Sequence, residues 1–150
     1  VKASERAAVP ATDEAVAAAV SAVEAAEDVK ASNPRIFDVA DVLALVDVFV
    51  MVTAASDRQL RAVADRIEQR LREQGRKPLH REGSADAGWL LLDFGDVVCH
   101  LFSEEQRDFY SLERLWADVA ELDPYSGAIV VAATPRPPAE PLDFDPDVEQ

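Results

Sequence analysis

A single cysteine, Cys99, denies this chain an internal disulfide and any cysteine-rich zinc site. Long apolar runs are equally scarce. The most extended, Val42 to Val52, is interrupted by Asp47 and falls well short of the roughly 20 residues that span a bilayer, so it reads as buried sheet. The first residues carry Lys2, Glu5 and Arg6 and then mix alanine with acids, which lacks the apolar core of a signal peptide and predicts a soluble, non-secreted chain. Positive charge is also in short supply. Fifteen Lys and Arg against 29 Asp and Glu give a net charge of −14, a balance that repels a phosphate backbone. Direct nucleic-acid binding is not expected to dominate, and a basic protein is the better partner.

What is present fits one domain. At 150 residues and 49% hydrophobic, the chain supports a single sizeable core. Ala-rich sequence from Asp13 to Val29, with Val16, Val20, Val23 and Ala26 three or four apart, predicts an amphipathic helix stopped by Asn33-Pro34. Ile36–Val39 and Val46–Thr53 have the β-branched and aromatic content of strands. Ser56-Asp57-Arg58-Gln59 is a capping-box pattern, and Leu60, Val63, Ala64, Ile67 and Leu71 continue from it at helical spacing to Gly75. Lys77–Arg81 predicts a short strand and Glu82–Ala87 a loop. Trp89–Phe102 reads as two strands joined by Phe94-Gly95, with Asp93 paired to Asp96. Ser103-Glu104-Glu105-Gln106 opens a last helix carrying Phe109, Leu112, Leu115 or Trp116, and Val119 on one side. The expected organisation is a flexible N-terminus over 1–12, an α/β (α+β) domain over 13–123 with a mixed sheet flanked by helices, and a Pro-rich acidic tail over 124–150.

Side-chain alternation places Trp89, Asp93, Asp96 and His100 along one ribbon of the hairpin, where an aromatic anchor and a few polar groups suit partner recognition as well as ordinary turn and core packing. Catalytic groupings are harder to find. Cys99 and His100 are strand neighbours that project to opposite faces, so they share neither a proton nor a metal. His80 has no partners at zinc-site spacing. Asp143, Asp145 and Asp147 alternate as calcium-loop acids do, without the turn glycine or the closing glutamate. Gly83-Ser84 with Asp86 is a fragment of a nucleotidyltransferase signature, but Asp93 and Asp96 flank a turn and lack the spacing of its metal-binding acids. No P-loop occurs. Tyr110 is the better surface candidate in the last helix, and Arg58, Arg61, Arg66, Arg70, Arg72 and Arg76 read as a wet helix face before an RNA surface.

Trp89-Leu90-Leu91-Leu92-Asp93-Phe94-Gly95-Asp96-Val97-Val98-Cys99-His100-Leu101-Phe102, followed by Gln106-Arg107-Asp108-Phe109-Tyr110-Ser111-Leu112-Glu113-Arg114-Leu115-Trp116, resembles the ribosomal silencing factor (RsfS/Iojap-like) family. Asp47-Val48-Phe49-Val50, Ser56-Asp57-Arg58-Gln59-Leu60, Ala64-Asp65 and Arg81-Glu82-Gly83 extend the resemblance over roughly Val29 to Asp118. It implies a nucleotidyltransferase-like fold without catalytic acids. It also implies a non-enzymatic translation repressor, without cofactor or metal, that binds the large ribosomal subunit through ribosomal protein fourteen and keeps the small subunit from joining when nutrients are scarce. Homodimerisation and a cytoplasmic, ribosome-associated or organellar setting come with the same resemblance. Carried onto this sequence, the contact residues are Trp89, Asp96, His100 and Tyr110, supported by Leu112 and Trp116. Ala54-Ala55 and Cys99 depart from the family pattern. The alternative is a nucleotide-handling enzyme that kept activity on this fold.

Overall fold

The computed structural model describes residues 10–134, apart from the side chain of Phe109. Most of the expected flexible N-terminus and acidic tail, residues 1–9 and 135–150, lies outside the described residues. The order is α1 (Asp13–Asp28), β1 (Ser32–Asp38), β2 (Val48–Ala54), α2 (Asp57–Glu73), β3 (His80–Ser84), β4 (Trp89–Asp93), β5 (Val97–Ser103), α3 (Glu104–Tyr110), α4 (Leu112–Leu115), β6 (Ala120–Leu122) and β7 (Ile129–Val131). Among the described residues seven strands join one mixed sheet in the order β3-β4-β5-β2-β1-β6-β7, with β2 and β5 paired in parallel and the other neighbours antiparallel. This is the α/β architecture the sequence predicts.

Helix α1 buries alanine, and that sets how close it lies. Ala15, Ala18, Ala19, Ala22, Ala25 and Ala26 are buried with Val23, while Val16 and Val20 stay partly exposed. Small side chains let α1 and α2 both pack on the same sheet face, over Val50, Val52, Leu92, Cys99 and Leu101. Arg70 ties the two helices by reaching Asp28 at 2.7 Å and Glu24 at 3.5 Å, so the arginine row of α2 serves partly as a helix clamp.

Several local features differ from the sequence reading. Helix α1 ends before Asn33-Pro34: Lys30 takes a left-handed φ of 71°, and the Ala31 N–H returns to the Ala26 carbonyl, a Schellman-type end. Asn33, at φ 51°, lies inside β1, where the register against β2 shifts. The predicted 77–81 strand begins at His80 and runs through Gly83, into the stretch read as loop. Asp93 pairs with Val98 rather than Asp96, and the tip of the hairpin is Gly95-Asp96. The reason is Gly95, whose φ of 94° belongs at the first central position of a two-residue turn, a conformation backed by Asp93 Oδ1 accepting the Gly95 N–H. The shift moves each cross-strand partner by two residues, so the face assigned to every strand residue survives.

The last predicted helix breaks in two at Ser111, which adopts φ 47° between α3 and α4. Its choice between Leu115 and Trp116 falls to Trp116: Leu115 is exposed, and Trp116 packs inward with Val119. Residues on either side of 13–123 also take part in the described structure. Ala11 N–H donates to Asp38 and Thr12 N–H to Asp47, Thr12 caps α1, and β7 pairs with β6 beyond Pro124.

Gly83 is the tightest point of the sheet edge. Its φ is 84°, and a Cβ placed there meets the Trp89 carbonyl at 2.2 Å. Gly83→Ala is expected to lower stability by roughly 1–3 kcal/mol in urea unfolding, with a rearranged β3-β4 edge.

Candidate partner-binding face

Among the described residues, no long helix covers the second sheet face. Register places Trp89, Leu91 and Asp93 of β4 beside His100, Phe102 and Val98 of β5, and these beside Phe49, Met51 and Thr53 of β2. Among the described residues its cover is α3, Ser111, α4 and, over Phe37 and Met51, Leu43 and Val46 of the β1–β2 loop with Val119. The cover is partial: Trp89, Leu91 and Phe49 remain half-buried, while His100 and Phe102 are buried.

Aromatic rings run across this face without a gap. Trp116 meets Phe49 edge-on at 5.1 Å, and Phe49 meets His100 edge-on at 5.0 Å. His100 lies nearly parallel to both Trp89 and Phe102, at 6.3 and 6.1 Å between centroids. Tyr110 closes the row against Trp89 at 5.7 Å and is 46% exposed. Such ring pairs prefer edge and offset geometries because the quadrupole makes ring faces negative and edges positive. Leu112 joins Trp116 in a small cluster with Phe37, Val39, Met51 and Val119. Thus Trp89, His100, Tyr110 and Trp116 come together in one surface, with Leu112 supporting it.

Asp96 stands apart. It sits at the hairpin tip, six residues from Phe102, or about 20 Å along an extended strand from the Trp89 end. Arg76 holds its carboxylate with both terminal nitrogens, at 2.6 and 3.2 Å, and its carbonyl accepts from Asp47 and Val48. Arg76 is delivered there by the left-handed turn at Gly75 that ends α2. Asp96 therefore joins α2, β2 and the hairpin, and is not part of the aromatic row.

The sequence reading did not single out Phe49, Phe102, Leu91 or Arg107. Arg107 is the least expected, since an arginine in a short helix usually faces water. Here it is 3% exposed and donates from Nη1 to the Asn33 carbonyl at 2.9 Å and to Thr53 Oγ1 at 3.0 Å. Its Nε reaches Glu113 of α4 at 3.4 Å. Burial pulls the guanidinium pKa below its usual value and Glu113 opposes this, so the group remains a cation. One side chain thereby holds α3, α4, β1 and β2 together, and the bulge at Asn33 supplies the carbonyl.

Cys99 faces the helices, buried, with its thiol pushed up to about 12, which removes it as a nucleophile at neutral pH. No group of three or more His, Cys, Asp or Glu among the described residues is placed to hold a metal. Around the aromatic row the charge is acidic: Glu82, Glu104, Glu105 and Asp108 are exposed, and Asp93 is half-exposed.

A family model described as "Ribosomal silencing factor during starvation" matches residues 12–143. The chain belongs to the ribosomal silencing factor family. It is 36% identical over 104 residues to ribosomal silencing factor RsfS of Bacillus subtilis, covering 68% of this chain and 88% of that protein. Against the chloroplastic Iojap protein of maize it is 35% identical over 113 residues, which is 73% of this chain and 48% of the relative. A crystal structure of a Chromobacterium violaceum protein superposes with a TM-score of 0.66 at 32% identity, covering 69% of this chain and 86% of that one. The ribosomal silencing factor match includes both the aromatic row and Arg107.

His100 generates a pH prediction. Neither ring nitrogen is hydrogen-bonded among the described residues, and burial lowers its pKa from 6.5 to about 4. The unfolded chain then binds the proton more readily, so stability is intact above about pH 6.5 and is lost as the pH falls toward 4. Thermal or urea unfolding at about pH 7.5 and pH 5 should differ by about 2 kcal/mol from this residue alone. His100→Phe should flatten that part of the slope.

Proposed function

We propose that the aromatic face binds the large ribosomal subunit through its ribosomal protein fourteen, and that the bound domain sterically keeps the small subunit from joining, lowering translation under nutrient limitation. The role is non-catalytic and needs no cofactor. The observation that carries it is the half-covered row of Trp89, Phe49, Tyr110 and Trp116. A soluble domain rarely leaves contiguous aromatic surface open unless something covers it, and tryptophan and tyrosine are the side chains that most often dominate binding energy. The acidic surround suits a basic ribosomal protein, since complementary charge speeds encounter and disfavours wrong partners. Family membership supports ribosome association, and its chloroplastic members support an organellar version of the same action beside a cytoplasmic one.

Two measurements test this reading. Large subunits preincubated with saturating protein and then mixed with small subunits should yield fewer joined particles in a sucrose gradient; unchanged joining sinks the proposal. Trp89→Ala and Tyr110→Ala should each weaken co-sedimentation with large subunits by about 10-fold or more. Arg58→Ala and Arg72→Ala, on the opposite side of the domain, should leave it within about 2-fold.

A further inference from the structure

We propose that Glu113 is a positioning residue for the aromatic face: its pair with buried Arg107 is half formed in the free chain and closes to two bonds when a partner covers α4, which fixes Trp116 in the row. The proposal rests on that face being the one that binds. Arg107 Nε donates to Glu113 Oε1 at 3.4 Å, long for a charge-assisted bond, which ordinarily measures about 2.7–2.9 Å. The guanidinium edge that carries Nε also carries Nη2, and a carboxylate set squarely on that edge takes one bond from each. Nη2 of Arg107 and Oε2 of Glu113 are both buried without a partner among the described residues. The two atoms left over are the two that a complete pair joins.

Arg35 shows the complete form nearby. Its Nε and Nη2 hold both oxygens of Glu121, at 2.9 and 2.6 Å. Arg35 is close enough for the Glu113 charge to raise its pKa, but its fork is already taken, so the bond left for Glu113 to make is to Arg107.

Closing the pair asks for a shift of about 0.5 Å, and α4 is the element able to make it. No residue of α4 is buried, and it leaves α3 through Ser111 alone, at φ 47°. Ser111 is fastened to α3, its N–H donating to the Arg107 carbonyl at 3.0 Å and its Oγ to the Asp108 carbonyl at 2.7 Å. Beyond α4, Trp116 rests edge-on against Phe49 and shares an apolar cluster with Leu112. Apolar contacts are non-directional and absorb such a shift, whereas the second hydrogen bond exists only after it. In the free chain the Glu113 side chain still meets water, 22% exposed against 3% for Arg107. A partner seated on Tyr110 and Trp116, which flank α4, removes that water, and the attraction between the two charges grows as the local dielectric falls. The pair then closes and Trp116 is held.

Glu113→Gln keeps the shape and one acceptor but sets an amide N–H₂ beside the guanidinium, so the second bond cannot form. Co-sedimentation with large subunits should weaken by about 10-fold, through faster release, with the urea midpoint unchanged. Added to Trp116→Leu, Glu113→Gln should cost less than about 2-fold more, because the side chain it positions is gone. In nuclear magnetic resonance spectra of the free chain, the two Nη2 hydrogens of Arg107 should average by rotation. Separate Nη2 signals there show a pair already closed and overturn the proposal. Unchanged affinity in Glu113→Gln overturns it too, as does a loss that tracks a lower urea midpoint, or the full 10-fold loss repeated in the Trp116→Leu background. A wild type that does not co-sediment at all removes the ribosome-binding reading and this proposal together; wild-type binding that Glu113→Gln leaves intact removes this proposal alone.

Discussion

A sheet has two faces to bury, and this chain has long helices for one of them. Helices α1 and α2 both lie over Val50, Leu92, Cys99 and Leu101, drawn close by the alanines of α1. The opposite face receives α3 and α4, seven and four residues long, too short to be stable helices without the contacts they make. That imbalance accounts for the half-buried Trp89, Leu91 and Phe49, for a buried arginine used as a clamp, and for a histidine held neutral among rings. The polar cost concentrates here as well. Trp89 Nε1, both His100 nitrogens, Arg107 Nη2 and Glu113 Oε2 are buried without hydrogen-bond partners among the described residues, and the helix-covered side contributes only Arg66 Nε. Each such group costs roughly 1–3 kcal/mol when it stays unpaired, so the polar cost of the fold falls mainly on the thinly covered face.

Where local rules act alone, the sequence was legible. The capping pattern at Ser56 and the apolar spacing of α2 predict that helix because both depend on neighbours three or four residues away. Alternation along Trp89–Phe102 correctly separated Cys99 from His100 and put Trp89 with His100, since a two-residue register error leaves faces unchanged. The misreadings came from backbone conformations at positive φ. Lys30, Asn33, Gly83, Gly95 and Ser111 end a helix, kink a strand, continue a strand, set a turn and break a helix. Lys30 and Ser111 occupy a region that such residues seldom visit, and nothing in their identity announces it.

The candidate site was legible as a set of aromatics and illegible as a mechanism of support. Trp89, Tyr110 and Trp116 look like anchors in any sequence, but Asp96 is a turn residue outside the strands, and Arg76 holds it at the other end of the hairpin. Arg107 could be found only once the Asn33 bulge placed a carbonyl in reach. The charge pattern bears on the same question. Positive charge is concentrated in 56–82, largely on α2, where Arg66 and Arg70 are tied to Asp28 and Glu24, so the exposed charge around the aromatic face is mainly acidic.

The central claim is that the thinly covered face, and not the helical one, meets the ribosome. Amide hydrogen exchange of the chain, free and bound to purified large subunits, tests it most directly. The account predicts slower exchange on binding across β3, β4 and residues 104–116, with α1 and the outer face of α2 unchanged. Protection confined to α1 and α2, with 104–116 exchanging as in the free protein, would contradict it.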